Sequence, residues 1–274
     1  MPLADVTRQT LAILEAGAYT APSGARVDIG AAVASAVEGT VLYRPEHLSP
    51  LSHPPRRGGA PRFEVTDETT AAAARRLVAG EGVHDVVALN FASAKNPGGG
   101  FLGAAKAQEE DLARASALYP CLLRAPGYYE ANRACGTMLY TDHIIWSPRV
   151  PFFRDDKLAL LETPFLLSVL TAPAPNAGEA ERRGPVEHRG VGVTLRTRAA
   201  KVLAAAVLRN HRVLLLGAWG CGVFRNDPTD VAAAFGGWLA HPAFTGCFDR
   251  VVFAVYDPSK ERRNLRAFQA RFGA

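Results

Sequence analysis

Residues 85–110 read DVVALNFASAKNPGGGFLGAAKAQEE, in which an apolar segment, a triple glycine and a charged segment follow one another. The apolar run 85–91 has the length and composition of a buried strand. The glycines can take positive φ and bring the backbone close to a ligand. Residues 105–118 predict a helix, so the glycines belong to the loop that joins the strand to the helix. In open α/β sheets, ligands bind beside such loops at the carboxyl ends of the strands.

Outward from this stretch, predicted strands and helices alternate along the chain. An amphipathic helix is expected over residues 3–16, whereas residues 172–190 are polar and rich in proline, which predicts a long surface loop. Alternation of this kind indicates an α/β fold with a largely parallel or mixed sheet. The other predicted strands are 63–66, 138–146, 151–153, 165–171, 212–216 and 251–256, and the other predicted helices are 29–37 (capped by Asp28), 68–78 (capped by Asp67), 194–209, 228–240 and 259–271.

Composition limits the classes of protein to which the chain can belong. Its 274 residues, 48% hydrophobic and 21% charged, are typical of one large or two small globular domains. No apolar run is long enough to span a membrane and the N-terminus lacks a signal-peptide pattern, so a cytoplasmic location is expected. Four cysteines without CxxC spacing and seven scattered histidines indicate neither disulfides nor a metal site. The net charge of +5 favours polyanionic partners, without specificity.

Gln108, Glu109 and Glu110 bring two carboxylates to the expected start of the helix. Acidic residues in a first turn also complement the helix dipole, so a surface role is an alternative. A carboxylic acid beside amides that can bind phosphates favours cleavage of a nucleotide–sugar bond. Adjacent helix positions point about 100° apart, so the glutamates are not expected on opposite faces of a sugar. One of them would act first as acid and then as base, and the spacing does not choose between them.

A second glycine-rich segment, GAWGCGVFRNDP (217–228), follows the strand predicted at 212–216. Its backbone amides are candidates to bind a diphosphate. Phe224 is a candidate to stack on a base, with packing against the sheet as the alternative. Cys221 has no histidine near it in the sequence, which disfavours a thiol nucleophile. In the first loop, Asn96 precedes a proline and either shapes the turn or binds ribose hydroxyls.

The triple glycine, the seven residues after it and QEE together resemble the signature of the poly(ADP-ribose) glycohydrolases, and the chain is most similar to the shorter, bacterial-type members. The resemblance implies a three-layer α/β/α macrodomain-like fold with a mixed sheet. An N-terminal helical extension and linker over residues 1–60 is expected to precede a macrodomain-like catalytic domain over 61–274. Further blocks carry the resemblance: NFASAKNPGGG (90–100), WSPRVPFFRDD (146–156), TAPAPN (171–176), GAWGCGVFRND (217–227) and VVFAVYD (251–257).

The resemblance also implies roles for individual residues. Glu110 matches the catalytic acid, which protonates the leaving ribose oxygen and then deprotonates water, while Glu109 would hold ribose hydroxyls. Asn96 would contact the distal ribose, and Phe224 matches an aromatic residue beside adenine or its ribose. The other residues expected to bind substrate are Gly98, Gly99, Gly100 and Gln108 in the first loop and helix start, and Gly217, Gly220, Cys221, Gly222 and Val223 in the second loop, which would bind the diphosphate.

The reaction implied by the resemblance is hydrolysis of the ribose–ribose O-glycosidic bond of poly(ADP-ribose), which releases ADP-ribose without a metal or another cofactor. The expected partners are the polymer or ADP-ribosylated proteins in the DNA damage response, with a monomeric protein that contacts neither nucleic acid directly nor membrane. Two alternatives stay open: a noncatalytic ADP-ribose reader, which the glutamate pair disfavours, and a mono(ADP-ribosyl) hydrolase. Basic pairs at 56–57, 182–183 and 262–263 either guide the polymer or form solvated surface.

Overall fold

The computed structural model describes residues 2–48 and 58–273 of the chain. Ten α-helices and nine strands lie within these ranges, with a 3₁₀ turn at Pro45–His47 and a π turn at Arg76–Gly80. The strands are β1 (Ala18–Thr20), β2 (Arg26–Asp28), β3 (Val41–Tyr43), β4 (Arg62–Thr66), β5 (Val86–Phe91), β6 (Ile144–Arg154), β7 (Leu160–Ala172), β8 (Val213–Leu216) and β9 (Arg250–Ala254). The helices are α1 (Leu3–Ala16), α2 (Gly30–Glu38), α3 (Thr70–Arg75), α4 (Gln108–Ala115), α5 (Leu118–Leu123), α6 (Pro126–Ala134), α7 (Ala177–Arg183), α8 (Pro185–Leu208), α9 (Pro228–Leu239) and α10 (Arg263–Phe272).

Seven strands form one mixed sheet in the order β3-β6-β7-β5-β8-β9-β4. The five strands from β7 to β4 are parallel, whereas β6 pairs antiparallel with both β7 and β3. β5 lies at the centre between β7 and β8, so the carboxyl ends of these three strands meet at one edge of the sheet. β1 and β2 form a separate antiparallel hairpin.

Helices cover both faces of the sheet. Along β5, Val87 and Leu89 join the core that packs against α7 to α10, while Val86 and Ala88 join the core that packs against α2 to α6. Successive side chains of a strand point to opposite faces, so a strand covered on both sides is apolar throughout. This is the three-layer α/β/α arrangement expected from the sequence.

The N-terminal region packs against the rest of the chain. α1 has the bounds predicted for it and buries Val6, Thr7, Thr10 and Ile13. β3 is an edge strand of the seven-stranded sheet, paired with β6. The division of the chain at residue 60 stays a prediction. Residues 49–57, which include most of the expected linker and the first basic pair, lie outside the described residues.

The surface loop predicted over 172–190 is wrong, because α7 and the first turns of α8 occupy much of it. The Asn176 side chain accepts a hydrogen bond from Glu179 N at 3.1 Å and so caps α7. Gly184, with φ 120°, separates the two helices. Pro185 begins α8, where the missing N–H of proline removes no helical hydrogen bond. The polar and proline residues of this segment are helix caps rather than loop residues.

Other element boundaries also differ from prediction. β6 joins the end of the strand predicted at 138–146 to the one predicted at 151–153, since a bulge between Ser147 and Val150 accommodates Pro148. Residues 138–143 of the first predicted strand do not form a strand.

Both predicted N-caps are wrong. Ile29 rather than Asp28 is at the N-cap of α2, with no side-chain hydrogen bond. α3 is capped by Thr69 rather than Asp67, because the Thr69 hydroxyl accepts a hydrogen bond from Ala72 N at 3.1 Å. α6 has no counterpart in the prediction.

Candidate active site

Two glycine-rich loops border one site at the carboxyl edge of the sheet. Residues 92–107 follow β5 and residues 217–227 follow β8, and these strands are neighbours. A Cβ on Gly217 would lie 3.0 Å from the Phe91 ring and 2.5 Å from the Ala254 carbonyl oxygen, so the strand ends are in contact. The fold therefore brings together the two loops that the sequence singles out, at the edge where α/β sheets bind ligands.

The triple glycine folds back against the helix that follows it. Gly98 and Gly99 have positive φ values of 68° and 59°. A Cβ on Gly99 would collide with Glu110 Oε1 and would lie 3.1 Å from Glu109 Oε2. The left-handed backbone and the two carboxylates both exclude a side chain at this position. The glycines therefore allow the backbone of the loop to pack closely against the two glutamate side chains.

Gln108 begins α4, so QEE forms the first turn of this helix, within the helix predicted over 105–118. The Gln108 side-chain oxygen accepts a hydrogen bond from Phe91 N at 2.8 Å. Its amide nitrogen donates to Leu89 O at 2.8 Å and to Thr70 Oγ1 at 3.1 Å. Gln108 thus ties α4 to the end of β5. These contacts favour a positioning role, and the expected substrate contact of Gln108 stays a prediction.

Glu109 is the more deeply buried of the two acids, at 2% exposure. Its Oε1 accepts a hydrogen bond from Asn90 Nδ2 at 3.1 Å, and its Oε2 accepts one from Ser93 N at 2.6 Å. Burial raises the pKa of Glu109 to about 8, against the opposing effect of these hydrogen bonds, and the nearby charge of Glu110 adds to the rise. Glu109 therefore keeps its proton to a higher pH than an exposed glutamic acid does.

Glu110 is 8% exposed, and its Oε1 accepts a hydrogen bond from Gly100 N at 2.8 Å. Its Oε2 makes no hydrogen bond to any residue that the structure describes, so this oxygen is available to a ligand. Glu109, by contrast, uses both oxygens within the protein. The carboxylates of Glu109 and Glu110 both lie next to Gly99 and do not face each other across a cleft. This arrangement suits one proton-transferring acid and one supporting acid.

The second loop is anchored at one end and open at its tip. Asn226 Nδ2 donates hydrogen bonds to Pro175 O at 2.8 Å and to Gly220 O at 3.1 Å. A Cβ on Gly222 would meet nothing within 4 Å. Val223, beside it, is 81% exposed. Open backbone next to an exposed apolar side chain is a surface that a ligand can cover.

The other candidate residues have distinct surroundings. The Phe224 ring packs beside Tyr140, with ring centroids 6.0 Å apart, and Phe224 is half-buried. Burial raises the pKa of the Cys221 thiol to about 12, which makes it a poor nucleophile. Asn96 is exposed, and its carbonyl accepts a hydrogen bond from Gly99 N at 3.0 Å.

Some residues at the site are missed by the sequence analysis. Asn90 and Ser93 bind Glu109, and their signal was their place in the NFASAK segment between strand and glycines. Asn226 anchors the second loop. Tyr256 lies two residues after the end of β9, at the same edge of the sheet, and is 59% exposed, which is unusual for an aromatic residue so close to a buried strand.

Over residues 2–48 and 58–273, the structure contains no group of three or more His, Cys, Asp or Glu side chains that could hold a metal ion. Nor does any helix in this described part combine the length and the apolar character of a membrane span.

Residues 7–155, more than half of the chain, match the sequence profile of the catalytic domain of microbial-type PARG, the poly(ADP-ribose) glycohydrolases. The chain belongs to this family. The matched range includes the triple glycine and both glutamates, and it extends across residue 60. A comparison with curated protein sequences gives no significant match.

Solved structures of bacterial members of the family are similar over nearly the whole chain. The structure of PARG from Thermomonospora curvata is 50% identical, with a TM-score of 0.93 over 98% of this chain and 99% of that one. A second T. curvata structure, bound to the inhibitor ADP-HPD, has a TM-score of 0.91 at the same identity and coverage. PARG from Deinococcus radiodurans in complex with ADP-ribose is 49% identical, with a TM-score of 0.82 over 87% of this chain and 96% of that one.

These matches confirm the family, the macrodomain-like α/β/α fold and the assignment of the chain as a glycosidase of the poly(ADP-ribose) glycohydrolase type. The roles of individual site residues rest on the geometry described above.

Proposed function

We propose that this protein hydrolyses the ribose–ribose O-glycosidic bond of poly(ADP-ribose) with Glu110 as general acid and base. The observation that carries the assignment is that Glu110 Oε2 has no hydrogen bond within the described residues, whereas Glu109 uses both oxygens. A group that transfers a proton needs an oxygen that reaches the substrate. The relatives bound to ADP-HPD and to ADP-ribose support an ADP-ribose unit as the ligand.

The reaction has two stages. Glu110 gives its proton to the leaving ribose oxygen while the bond from that oxygen to the anomeric carbon breaks and an oxocarbenium-like centre forms. Water then adds to the anomeric carbon and gives its proton to the Glu110 carboxylate, which restores the acid. Between the stages, the hydrogen bond from Gly100 N to Oε1 stabilises the carboxylate and holds it in place. Each Glu109 oxygen accepts one hydrogen bond within the protein, so its remaining lone pair is proposed to bind a ribose hydroxyl.

The remaining loop residues are proposed to bind the rest of the ADP-ribose unit. The exposed Asn96 would contact the distal ribose. Tyr256 and Phe224 offer aromatic faces on the same side of the sheet, which suit stacking on adenine or its ribose. The proposed backbone and side-chain contacts come from Gly98, Gly99 and Gly100 near the distal ribose, and from Gly217, Gly220, Cys221, Gly222 and Val223 around the diphosphate.

We propose that the protein acts as a cytoplasmic monomer on poly(ADP-ribose) carried by proteins of the DNA damage response, without direct contact to nucleic acid or membrane. The basic pairs at 182–183 and 262–263 support the proposed lack of direct contact to nucleic acid. Each of their arginines faces a carboxylate, which reduces the charge available to a polyanion: Arg182 with Glu179, Arg183 with Glu187, Arg262 with Asp67 and Arg263 with Asp227. The same pairing disfavours a role of these arginines in guiding the polymer.

The variant Glu110→Gln tests the assignment, because it keeps the size of the side chain and removes the transferable proton. We expect ADP-ribose binding to stay within about threefold, while release of ADP-ribose from automodified poly(ADP-ribose) polymerase falls at least about 100-fold. Glu38→Gln, at an exposed position that ends α2, is the matched control and should keep wild-type turnover. Near-wild-type turnover of Glu110→Gln would contradict the role of Glu110.

The wild-type protein distinguishes the alternative functions in the same assay. Binding of the polymer without shortening would indicate a reader. Activity on a singly modified acceptor without activity on the polymer would indicate a mono(ADP-ribosyl) hydrolase.

A further inference from the structure

A buried arginine joins the catalytic helix to the segment that precedes it. Arg114 lies about one turn after Glu110 on α4 and is 0% exposed. Its Nη2 donates hydrogen bonds to Ala105 O at 2.8 Å and to Gly103 O at 3.2 Å. Both carbonyls belong to residues 101–107, which connect the triple glycine to α4. We call residues 101–107 the connecting segment.

The N-terminal helix α1 completes this contact. Thr7 is 3% exposed, and its Oγ1 accepts a hydrogen bond from Arg114 Nε at 3.1 Å while it donates one to Phe101 O at 3.0 Å. Thr10 Oγ1 donates to Arg114 O at 2.7 Å and accepts from Arg154 Nε at 3.3 Å. Each hydroxyl donates to one partner and accepts from another inside the protein, so its orientation is fixed.

These side chains bind the carbonyls of the connecting segment, which is also held by the buried Phe101 ring against Tyr119 and by the Gly103 N–H donating to Gly100 O at 2.9 Å. Within the described residues, the carbonyls of Phe101, Gly103 and Ala105 have hydrogen-bond donors only from Thr7 and Arg114. The segment begins directly after Gly100, the residue whose amide binds the Glu110 carboxylate. A shift of the segment would therefore move the donor that holds the Glu110 carboxylate through its Oε1.

We propose that Thr7 is a positioning residue of the active site, because together with Arg114 it fixes the connecting segment so that Gly100 N stays on Glu110 Oε1. The proposal rests on the proposed role of Glu110. Loss of the Thr7 hydroxyl would leave the Nε–H of a buried guanidinium and a loop carbonyl without partners, and the segment would move to satisfy them. A displacement of about 1 Å at a catalytic group costs on the order of 100-fold in rate.

Thr7→Val removes the hydroxyl and keeps the branched shape, whereas Thr7→Ser keeps the hydroxyl. Thr40→Val, just before β3, is the matched control: the Thr40 Oγ1 donates to Ala36 O at 2.8 Å and lies 3.2 Å from the Ser147 hydroxyl oxygen. With poly(ADP-ribose) as substrate, we expect kcat of Thr7→Val to fall about 10- to 100-fold with KM within about threefold. Thr7→Ser and Thr40→Val should stay within about threefold of wild type in both constants.

Hydrogen–deuterium exchange provides a readout that needs no substrate. Amides 99–107 of the full chain should exchange at least about tenfold faster in Thr7→Val than in wild type, Thr7→Ser or Thr40→Val. Should Thr7→Val unfold at the assay temperature, Thr7→Cys can replace it, because a thiol is a weaker hydrogen-bonding group than a hydroxyl. The same fall in kcat and the same faster exchange are then expected. If the wild-type chain cleaves no polymer, the proposed function fails, and the exchange rates still decide whether Thr7 holds the segment.

Three results would overturn the proposal. Wild-type kcat in Thr7→Val would show that the hydroxyl is not needed. A Thr7→Ser variant as slow as Thr7→Val would assign the effect to the shape of the side chain. An equal loss of kcat in Thr40→Val would assign it to general destabilisation.

Discussion

Replacing Glu109 by glutamine removes an ionisable group that folding buries to 2% exposure. The pKa of Glu109 rises from an ordinary value of 4.5 to about 8 on folding, chiefly because burial disfavours the charged carboxylate. Between these two values the folded protein holds a proton that the unfolded chain has lost. The free energy of unfolding of the wild type therefore falls as the pH rises from about 4.5 through about 8. Glu109→Gln cannot ionise and lacks this part of the pH dependence.

The size of the effect follows from the two pKa values. Each unit of difference is worth about 1.4 kcal/mol, and proton linkage between pH 5 and pH 9 gives about 4 kcal/mol for values of 4.5 and about 8. The glutamine oxygen can keep the hydrogen bond from Ser93 N, and Asn90 can turn its amide so that its unpartnered buried Oδ1 accepts from the new N–H. Any cost of that rearrangement is the same at both pH values.

Urea unfolding at pH 5, 7 and 9 measures this difference directly. The free energy of unfolding of Glu109→Gln relative to wild type should increase by about 4 kcal/mol from pH 5 to pH 9. Groups that titrate in both proteins cancel in the comparison, and Glu38→Gln, at an exposed position, should run parallel to wild type. A difference between Glu109→Gln and wild type that stays constant within about 1 kcal/mol would refute the raised pKa of Glu109.

Substitutions at Gly99 and Tyr256, each with a control variant, test the site further. Gly99→Ala should lower polymer hydrolysis at least about 100-fold, because its φ of 59° disfavours alanine and the new Cβ collides with Glu110 Oε1. Gly136→Ala is the control, because Gly136 also has a positive φ of 70° but a Cβ there would meet nothing within 4 Å. It should lose about 1 kcal/mol of stability and keep its activity. Equal losses of activity in Gly99→Ala and Gly136→Ala would argue against the contact of Gly99 with the carboxylate. Tyr256→Ala should weaken ADP-ribose binding about three- to tenfold by calorimetry while Tyr256→Phe retains it, and unchanged affinity in Tyr256→Ala would exclude this residue from the site.

The triple glycine and the glutamates could be located from the sequence because their signals are local. An apolar strand, glycines without side chains and acids at a helix start each stand out within a few neighbouring residues. The contact of both carboxylates with Gly99 could not be predicted in this way. It depends on the connecting segment, whose Phe101 carbonyl is bound by Thr7, 94 residues earlier in the chain. Sequence patterns carry no direct information about a hydrogen bond over that separation.

The errors in the fold have a different cause. Asn176 and Pro185 are helix-starting residues, and the polar composition around them outweighed these two signals. β3 was missed because three residues are too few to show alternation, and its place in the sheet depends on β6, about 100 residues later. The helix starts at Asn176 and Pro185 could therefore have been predicted from local sequence, whereas the pairing of the short edge strand β3 could not.

The two edge strands of the seven-stranded sheet affect how the protein behaves at high concentration. One edge strand, β3, has three residues, and the other, β4, has five and carries the charged side chains of Arg62 and Glu64, which pair with each other at 3.0 Å. Short and charged edges offer little backbone to which a strand from another molecule could add. The protein should therefore resist aggregation through strand pairing at high concentration. An extended peptide from a modified protein should likewise not bind by adding a strand to either edge of the sheet.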